Sequence, residues 1–488
     1  MVEIKAEHLL LALIGTYVIV VPTLSFIPLL DPFSEKRILQ VGVLIAVSGG
    51  LLGVRAARQR WLETFIGLPC TAQWGLGVVL CLSLLSSVLA PASFYAFLEV
   101  GHFILLFVTA GLVASEVRRT PEWTQRALLG VVAVSGGLYA IYFAVGYGAH
   151  LAIADIEPWP NGATNYANIR FFNHYQTWTI PLLAGAVLAV PRRWRAVRGG
   201  VFGLLSLWWT LVLASNVRGT VVALVLATIG VFLIFHGRAK RWLAVQGAAV
   251  LAGVLLYYIF FPSGTPPQVV DELANTGTDS RRLQLWRTCL EMTGAHPWLG
   301  AGPMHFAWPP YHYAKGASPH SALMQWFAEW GIPSTLVMSG LTIWGGWRWI
   351  QQERDRLFSR SAPEPVAVAL VAALTAGAAH SMVSGLILAP LSQVFLACLG
   401  GWAWGRYQHD GVDLSFSFNR FAHVALSVVL LGSTLVVGSS VKDLFQAQER
   451  RKAFLESVDR NVLSPRYWTQ GYIEVRDSSV IEQARRDR

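Results

Sequence analysis

Apolar residues run through this chain in blocks separated by short polar connections, and few stretches show the one-sided spacing of a helix lying on a water-soluble core. A run of about 20 apolar residues is what a helix needs to cross a bilayer, where no water satisfies an unpaired backbone group. By that rule about thirteen spans are predicted, centred near residues 18, 46, 83, 104, 138, 183, 208, 228, 252, 342, 375, 399 and 431. The boundaries around 201–235 and 365–407 are the least sharply marked. The first block, HLLLALIGTYVIVVPTLSFIPLL (8–30), lacks a basic leader and a small-residue cleavage site, so it is expected to stay as the first helix.

Two segments, 150–174 and 262–333, are too long and polar to be simple turns, and function in a scaffold of packed spans is expected on such loops. The second should hold two helices. One, 279–294, has Leu283, Trp286 and Leu290 on one face and Gly294 as a stop. The other, SPHSALMQWFAEWGIPS (318–334), has Ser318 to cap it, Pro319 at its first position, and His320, Leu323, Met324 and Phe327 along one buried stripe. It should end at Gly331, with Gln325 and Glu329 paired on its more polar face. Between the two helices, Gly300 and Gly302 allow a tight path around Pro303. After the transmembrane domain, 1–441, the tail 442–488 shows a mixed-charge helical pattern and then Tyr467, Trp468 and Tyr472; it is too short for an independent domain and reads as an external cap.

Composition agrees with the spans: 54% of residues are hydrophobic and 14% charged, with a mean hydropathy of +0.47. The predicted fold class is all-α, a polytopic integral membrane protein with 12–13 transmembrane helices and a long helical periplasmic loop. The net charge of +10 and pI near 9.6 raise nucleic acid as a partner, but the basic residues gather in alternate connections. Arg55 and Arg58, Arg118 and Arg119, Arg192 and Arg193, Arg238 and Lys240, and Arg348 and Arg354 all follow even-numbered spans. The positive-inside rule puts those connections and the N-terminus in the cytoplasm, and the odd loops and the tail outside, so nucleic acid is unnecessary. Cys70, Cys81, Cys289 and Cys398 have no paired or metal spacing and read as apolar filler. No Walker A loop, GxGxxG after a strand, or HExxH appears, so neither a cofactor nor a metal is indicated.

Four arginines then stand out on the outward side. Arg218, in LASNVRGTVVAL, either snorkels or points to a ligand at the membrane face. Arg281 and Arg282 open a helix, where cations oppose the macrodipole and an anionic ligand would offset the cost. Arg170 in NIRFFNHYQTW has His174 one turn on. Together they place four forks able to grip phosphate on one side of one membrane. His320 is either a satisfied core histidine or, kept neutral by the free N–H groups of a helix start, a base. Glu99 and His102, i and i+3 in one span, either serve function or satisfy each other, and His380 marks close helix packing.

The order Arg281, Arg282, Trp286, Pro297, Gly300, Gly302, Phe306, His320, Leu323, Glu329 and Gly331, in a long outward loop after a mid-chain arginine, resembles the O-antigen ligase superfamily. That superfamily includes lipid A-core O-antigen ligases, Wzy-type polymerases and pilin-type O-oligosaccharyltransferases. The resemblance implies a glycan donor on undecaprenyl diphosphate, an acceptor that is lipid A-core, a protein or a growing glycan, and a site on the periplasmic face of the bacterial inner membrane. It implies Arg218 with one or both of Arg281 and Arg282 as diphosphate ligands and His320 as the essential histidine; Arg170, His174, Gly300, Gly302 and Glu329 are the supporting candidates. The thirteenth span and external tail lie closer to the protein-glycosylating branch. A lipid-linked glycan flippase is the rival from another class, though it calls for arginines at membrane depth. A peptidoglycan polymerase of the shape-determining type is a third, and would rely on Asp271, Glu272 or Asp279.

Overall fold

The computed structural model describes residues 6–153, 165–261, 280–308, 316–359, 364–408, 420–457, 465–469 and 471–473; the side chains of Ala6, Ser280, Arg281 and 446–457 lie outside that description. Among the described residues every regular element is helical. Before the long loop come α1 (Ala6–Val20), α2 (Pro32–Gly53), α3 (Arg55–Ile66), α4 (Cys70–Leu89), α5 (Ser93–Arg119), α6 (Pro121–Ala152), α7 (Ile169–Ala189), α8 (Arg195–Ala214), α9 (Arg218–Phe235) and α10 (Lys240–Phe260). The loop carries α11 (Ser280–Ala295), and after it come α12 (Ala322–Ser359), α13 (Pro365–Ser381), α14 (Pro390–Gln408) and α15 (Arg420–Ser457).

The predicted span centres fall on α1, α2, α4 to α10 and α12 to α15. Among the described residues, seven helical stretches are long and apolar enough to cross a membrane, one of them, 218–260, comprising both α9 and α10. Others owe their place to position in the bundle: α7 is buried from Phe172 to Val187, so it faces protein and tolerates Asn, His, Gln and Thr. Around the outside, Ile141, Val145, Leu251, Leu255 and Ile259 are exposed, a surface suited to lipid and not to water.

Local chemistry explains the element ends. Asp31 caps α2, its carboxylate accepting the Phe33 and Ser34 N–H groups at 2.9 and 3.0 Å, with Pro32 at the first helical position. The first apolar block is shorter than predicted: α1 stops at Val20 before Pro22, and Glu35 of α2 accepts the Phe26 and Ile27 N–H groups of the connection. The basic stretch after α2 folds as α3, whose Arg58 donates to the Leu51 and Leu52 carbonyls at the end of α2. Within the bundle α5 packs closely on α14, where Gly401 and Gly405, one turn apart, let the backbones meet. A Cβ at Gly405 would stand 2.6 Å from the Ala114 carbonyl oxygen.

The described part of the tail is buried rather than laid on the surface. Residues 465–469 and 471–473 are threaded into the helix ends, with Tyr467, Trp468 and Tyr472 buried. Apolar and aromatic composition cannot distinguish a surface patch from a plug, and this one is a plug.

Candidate active site

Asn168 caps α7 by accepting the Arg170 N–H at 2.9 Å, which places Arg170 in the first turn. Asn173, His174 and Thr177 follow on the next turns of the same face. Asn173 Nδ2 donates to Ser215 Oγ at 2.8 Å, fixing the turn between α8 and α9 in which Asn216 takes a left-handed φ of +54°. That turn delivers Arg218 as the first residue of α9, exposed at the end of the helix.

His380, in the last turn of α13, sits against the same place. Its Nδ1 lies 2.7 Å from Thr177 Oγ1, whose hydroxyl hydrogen is committed to the Asn173 carbonyl at 2.8 Å. The imidazole is therefore the donor in that pair, and Nε2 carries the lone pair of the neutral ring. A Cβ at Gly219 would lie 3.2 Å from Nε2, so the start of α9 approaches the ring closely. His174 stacks edge-to-face on His380 with centroids 5.1 Å apart, and its Nε2 lies 2.6 Å from Ser384 Oγ. Buried His174 Nδ1 has no hydrogen-bond partner among the described residues. His174 lies within electrostatic range of His380, His320 and Arg170, and His380 within range of Arg282. The structure thus brings Arg170, His174, Arg218, Arg282 and His320 together, with His380 among them. Arg281 lies in the first turn of α11, its side chain outside the described residues, as are Asp271, Glu272 and Asp279.

His320 does not sit at position two of a helix. It precedes α12, whose first residue is Ala322, and adopts a left-handed φ of +54°. Ser318 Oγ accepts the His320 N–H at 3.3 Å, and Trp286 of α11 donates to the Pro319 carbonyl at 3.1 Å. Ser318 and Pro319 therefore build a turn instead of capping a helix, and the argument for a neutral imidazole from the helix start does not carry over. Left-handed non-glycine residues are uncommon and collect at functional sites.

The segment after His320 also reverses the expected faces. Gln325, Ala328 and Glu329 are buried, whereas Leu323, Met324 and Phe327 are only partly so. Likewise α11 buries Leu285, Cys289 and Met292, while Leu283 and Leu290 are 50% and 60% exposed. At a membrane face an apolar stripe has two destinations, lipid and protein, and periodicity does not choose between them. The expected Gln325–Glu329 pair does not form: Gln325 Nε2 is buried with no hydrogen-bond partner among the described residues.

Glu329 is the anchor of the glycine turn. Its Oε1 accepts the Phe306 N–H at 2.9 Å, while the Ala301 and Gly302 N–H groups donate to the Ala328 and Glu329 carbonyls at 2.9 and 3.1 Å. Gly300 at φ +70° faces Gly331 at φ +76°, whose backbone is non-helical: the helix from Ala322 ends there as expected, and a second one continues from it across a kink, so that α12 is two helices in line. Behind the turn His305 is buried: Nδ1 donates to the Pro303 carbonyl at 2.9 Å and Nε2 accepts the Ala92 N–H at 3.0 Å. Burial pushes its pKa down to about 4.

Glu99 and His102 do not satisfy each other. Glu99 pairs with Arg466 of the tail, and His102 meets Arg37, Gln393 and Tyr467. Arg466, Asn173 and Thr177 are contributors that the sequence did not single out; the only signals were polar residues in an otherwise apolar span and an arginine among tail aromatics.

A helical membrane bundle with arginines and imidazoles gathered beneath a docked loop is the class these features define. Residues 201–339 match the family model Wzy_C, described as O-Antigen ligase, so over that stretch the chain is similar to the O-antigen ligase superfamily. The match supports a glycosyltransferase of ligase- or polymerase-like kind, with a lipid-linked glycan and an acceptor as its partners. It takes in Arg218, Arg281, Arg282, Gly300, Gly302, His320 and Glu329, whereas Arg170, His174, His380 and Arg466 lie outside it. No curated protein matches the chain.

Proposed function

We propose that this protein transfers a glycan from an undecaprenyl diphosphate carrier to an acceptor hydroxyl at the periplasmic face of the bacterial inner membrane. The observation that carries the reading is the convergence of Arg170, Arg218, Arg282 and His320 on the His174–His380 pair. The bond that breaks joins the anomeric carbon to a diphosphate oxygen. Guanidinium groups fixed before the reaction stabilise the charge that develops on that leaving group. The acceptor oxygen attacks the opposite face of the anomeric carbon, its proton passes to the imidazole of His320, and the configuration inverts. Undecaprenyl diphosphate and the glycosylated acceptor are the products.

The acceptor is tested directly. Purified protein with a defined undecaprenyl diphosphate glycan is offered lipid A-core, pilin and a glycan chain side by side, and the product is identified by mass. Transfer to lipid A-core or pilin is the expected result; elongation of the glycan alone makes the protein a polymerase. Absence of transfer to all three counts against the reading.

A further inference from the structure

The buried tail segment reaches both stretches of chain that flank His320. Arg466, 2% exposed, donates through Nη2 to the two carboxylate oxygens of Glu99 at 2.8 and 2.7 Å and to Glu329 at 2.6 Å. Glu329 is the residue that holds the glycine turn to the segment following His320. On the other side, the Tyr467 carbonyl accepts Arg37 Nε–H at 3.1 Å, and Arg37 also donates to the Leu388 carbonyl and Gln393. Leu388 closes the turn that begins at Gly385, where a Cβ would stand 3.9 Å from His320 Nδ1. Further along, the Ile473 N–H donates to the Ala307 carbonyl at 3.1 Å, next to the glycine turn.

We infer that Arg466 is a positioning residue for His320: it and the Tyr467 carbonyl fasten the 300–306 turn, Glu329 and the Gly385–Leu388 turn into one frame around the imidazole. The inference takes from the function proposed above that His320 is the reacting group. Arg466 touches no reacting atom. Its removal leaves the buried carboxylates of Glu99 and Glu329 without their shared cation, a situation proteins relieve by moving the groups apart. The segment that would move is the one carrying His320.

The test compares wild type with Arg466→Gln, Glu329→Gln, Arg466→Lys and the double variant Arg466→Gln with Glu329→Gln, each purified as the full chain. Hydrogen exchange is read over peptides 297–307 and 316–330, and donor KM and kcat are measured in the transfer assay. For Arg466→Gln, exchange over both peptides should quicken by ~10-fold or more, and kcat should fall ~30-fold or more with donor KM within ~3-fold. Arg466→Lys should recover part of the kcat loss, and the double variant should lose far less than the product of the two single losses, since it removes one stranded charge together with its partner. Should Arg466→Gln not fold, the lysine variant carries the comparison. Unchanged exchange over 316–330 overturns the inference, as does a loss that appears wholly in KM. If wild type transfers to no acceptor, the proposed function fails, while the exchange measurement still decides whether the tail holds the His320 segment.

Discussion

Substituting Gly300 by alanine tests how the long loop is held. Gly300 has φ +70°, a conformation that costs an alanine about 1–2 kcal/mol. An added Cβ would overlap the Glu329 carbonyl and lie 2.6 Å from the Gly331 nitrogen. These are backbone atoms, so no change of rotamer relieves the overlap. The turn and α12 must separate, which breaks the Ala301-to-Ala328 and Gly302-to-Glu329 hydrogen bonds, each contributing about 0.5–1.5 kcal/mol. The sum, about 2–5 kcal/mol, lowers the population of the docked turn relative to the undocked by about 30- to 4,000-fold. Gly294 is the internal comparison: it lies in α11 with nothing within 4 Å of the point an added methyl would occupy, and alanine there should be neutral or gain about 0.5–1 kcal/mol. Both variants would be assayed by hydrogen exchange over 297–307 and by glycan transfer. Wild-type exchange and transfer in Gly300→Ala would refute the docking argument; equal losses in Gly294→Ala would show that the loop is sensitive everywhere and not at this contact.

His320→Ala should abolish transfer while the protein still reaches the membrane, because the side chain is only partly buried and its loss opens no large cavity; transfer within a few-fold of wild type would exclude it as the base. Arg218→Lys should lose transfer although the charge is kept, since lysine lacks the two-pronged grip on phosphate; full activity would reduce Arg218 to a membrane anchor. His305 has a folded pKa near 4, below the ordinary imidazole value, so the unfolded chain binds more protons between about pH 4 and 6.5 and stability falls as pH drops through that window. At pH 4 the loss approaches about 3 kcal/mol, and His305→Gln should show a correspondingly flatter dependence of melting temperature on pH; identical slopes would mean that His305 is not the titrating group.

The helices on which the thirteen predicted centres fall were legible because ~20 apolar residues are a length requirement imposed by the bilayer, and length is written directly in the chain. The grouping of Arg218, Arg282 and His320 was legible as well, since cations on one side of a membrane protein call for an explanation. What the sequence hid is long-range pairing. Glu99 had His102 one turn away as one candidate partner, yet its partner is Arg466, 367 residues on. Faces failed for a related reason: in α11, Leu283 and Leu290 on one side and Leu285, Cys289 and Met292 on the other are both apolar, and only tertiary contact shows which side meets protein. His320 was placed inside a helix because Ser-Pro is a strong start signal, and a signal of equal strength, Ser321, lay three residues further on; its backbone oxygen accepts the Gln325 N–H at 3.0 Å.

The Thr469 hydroxyl donates to Asp31 across 438 positions of chain, and the Thr469 N–H donates to Ser34 Oγ at 3.3 Å. The residues that lock the head of α2 are thus synthesised after every helix among the described residues. During biosynthesis the helices enter the membrane with Glu99, Glu329 and the carbonyl-binding side of Arg37 still waiting for their partners, and the frame around His320 closes only when the last stretch of the protein arrives. A stop between Ser457 and Arg466 would leave every described helix in place with an unfinished centre.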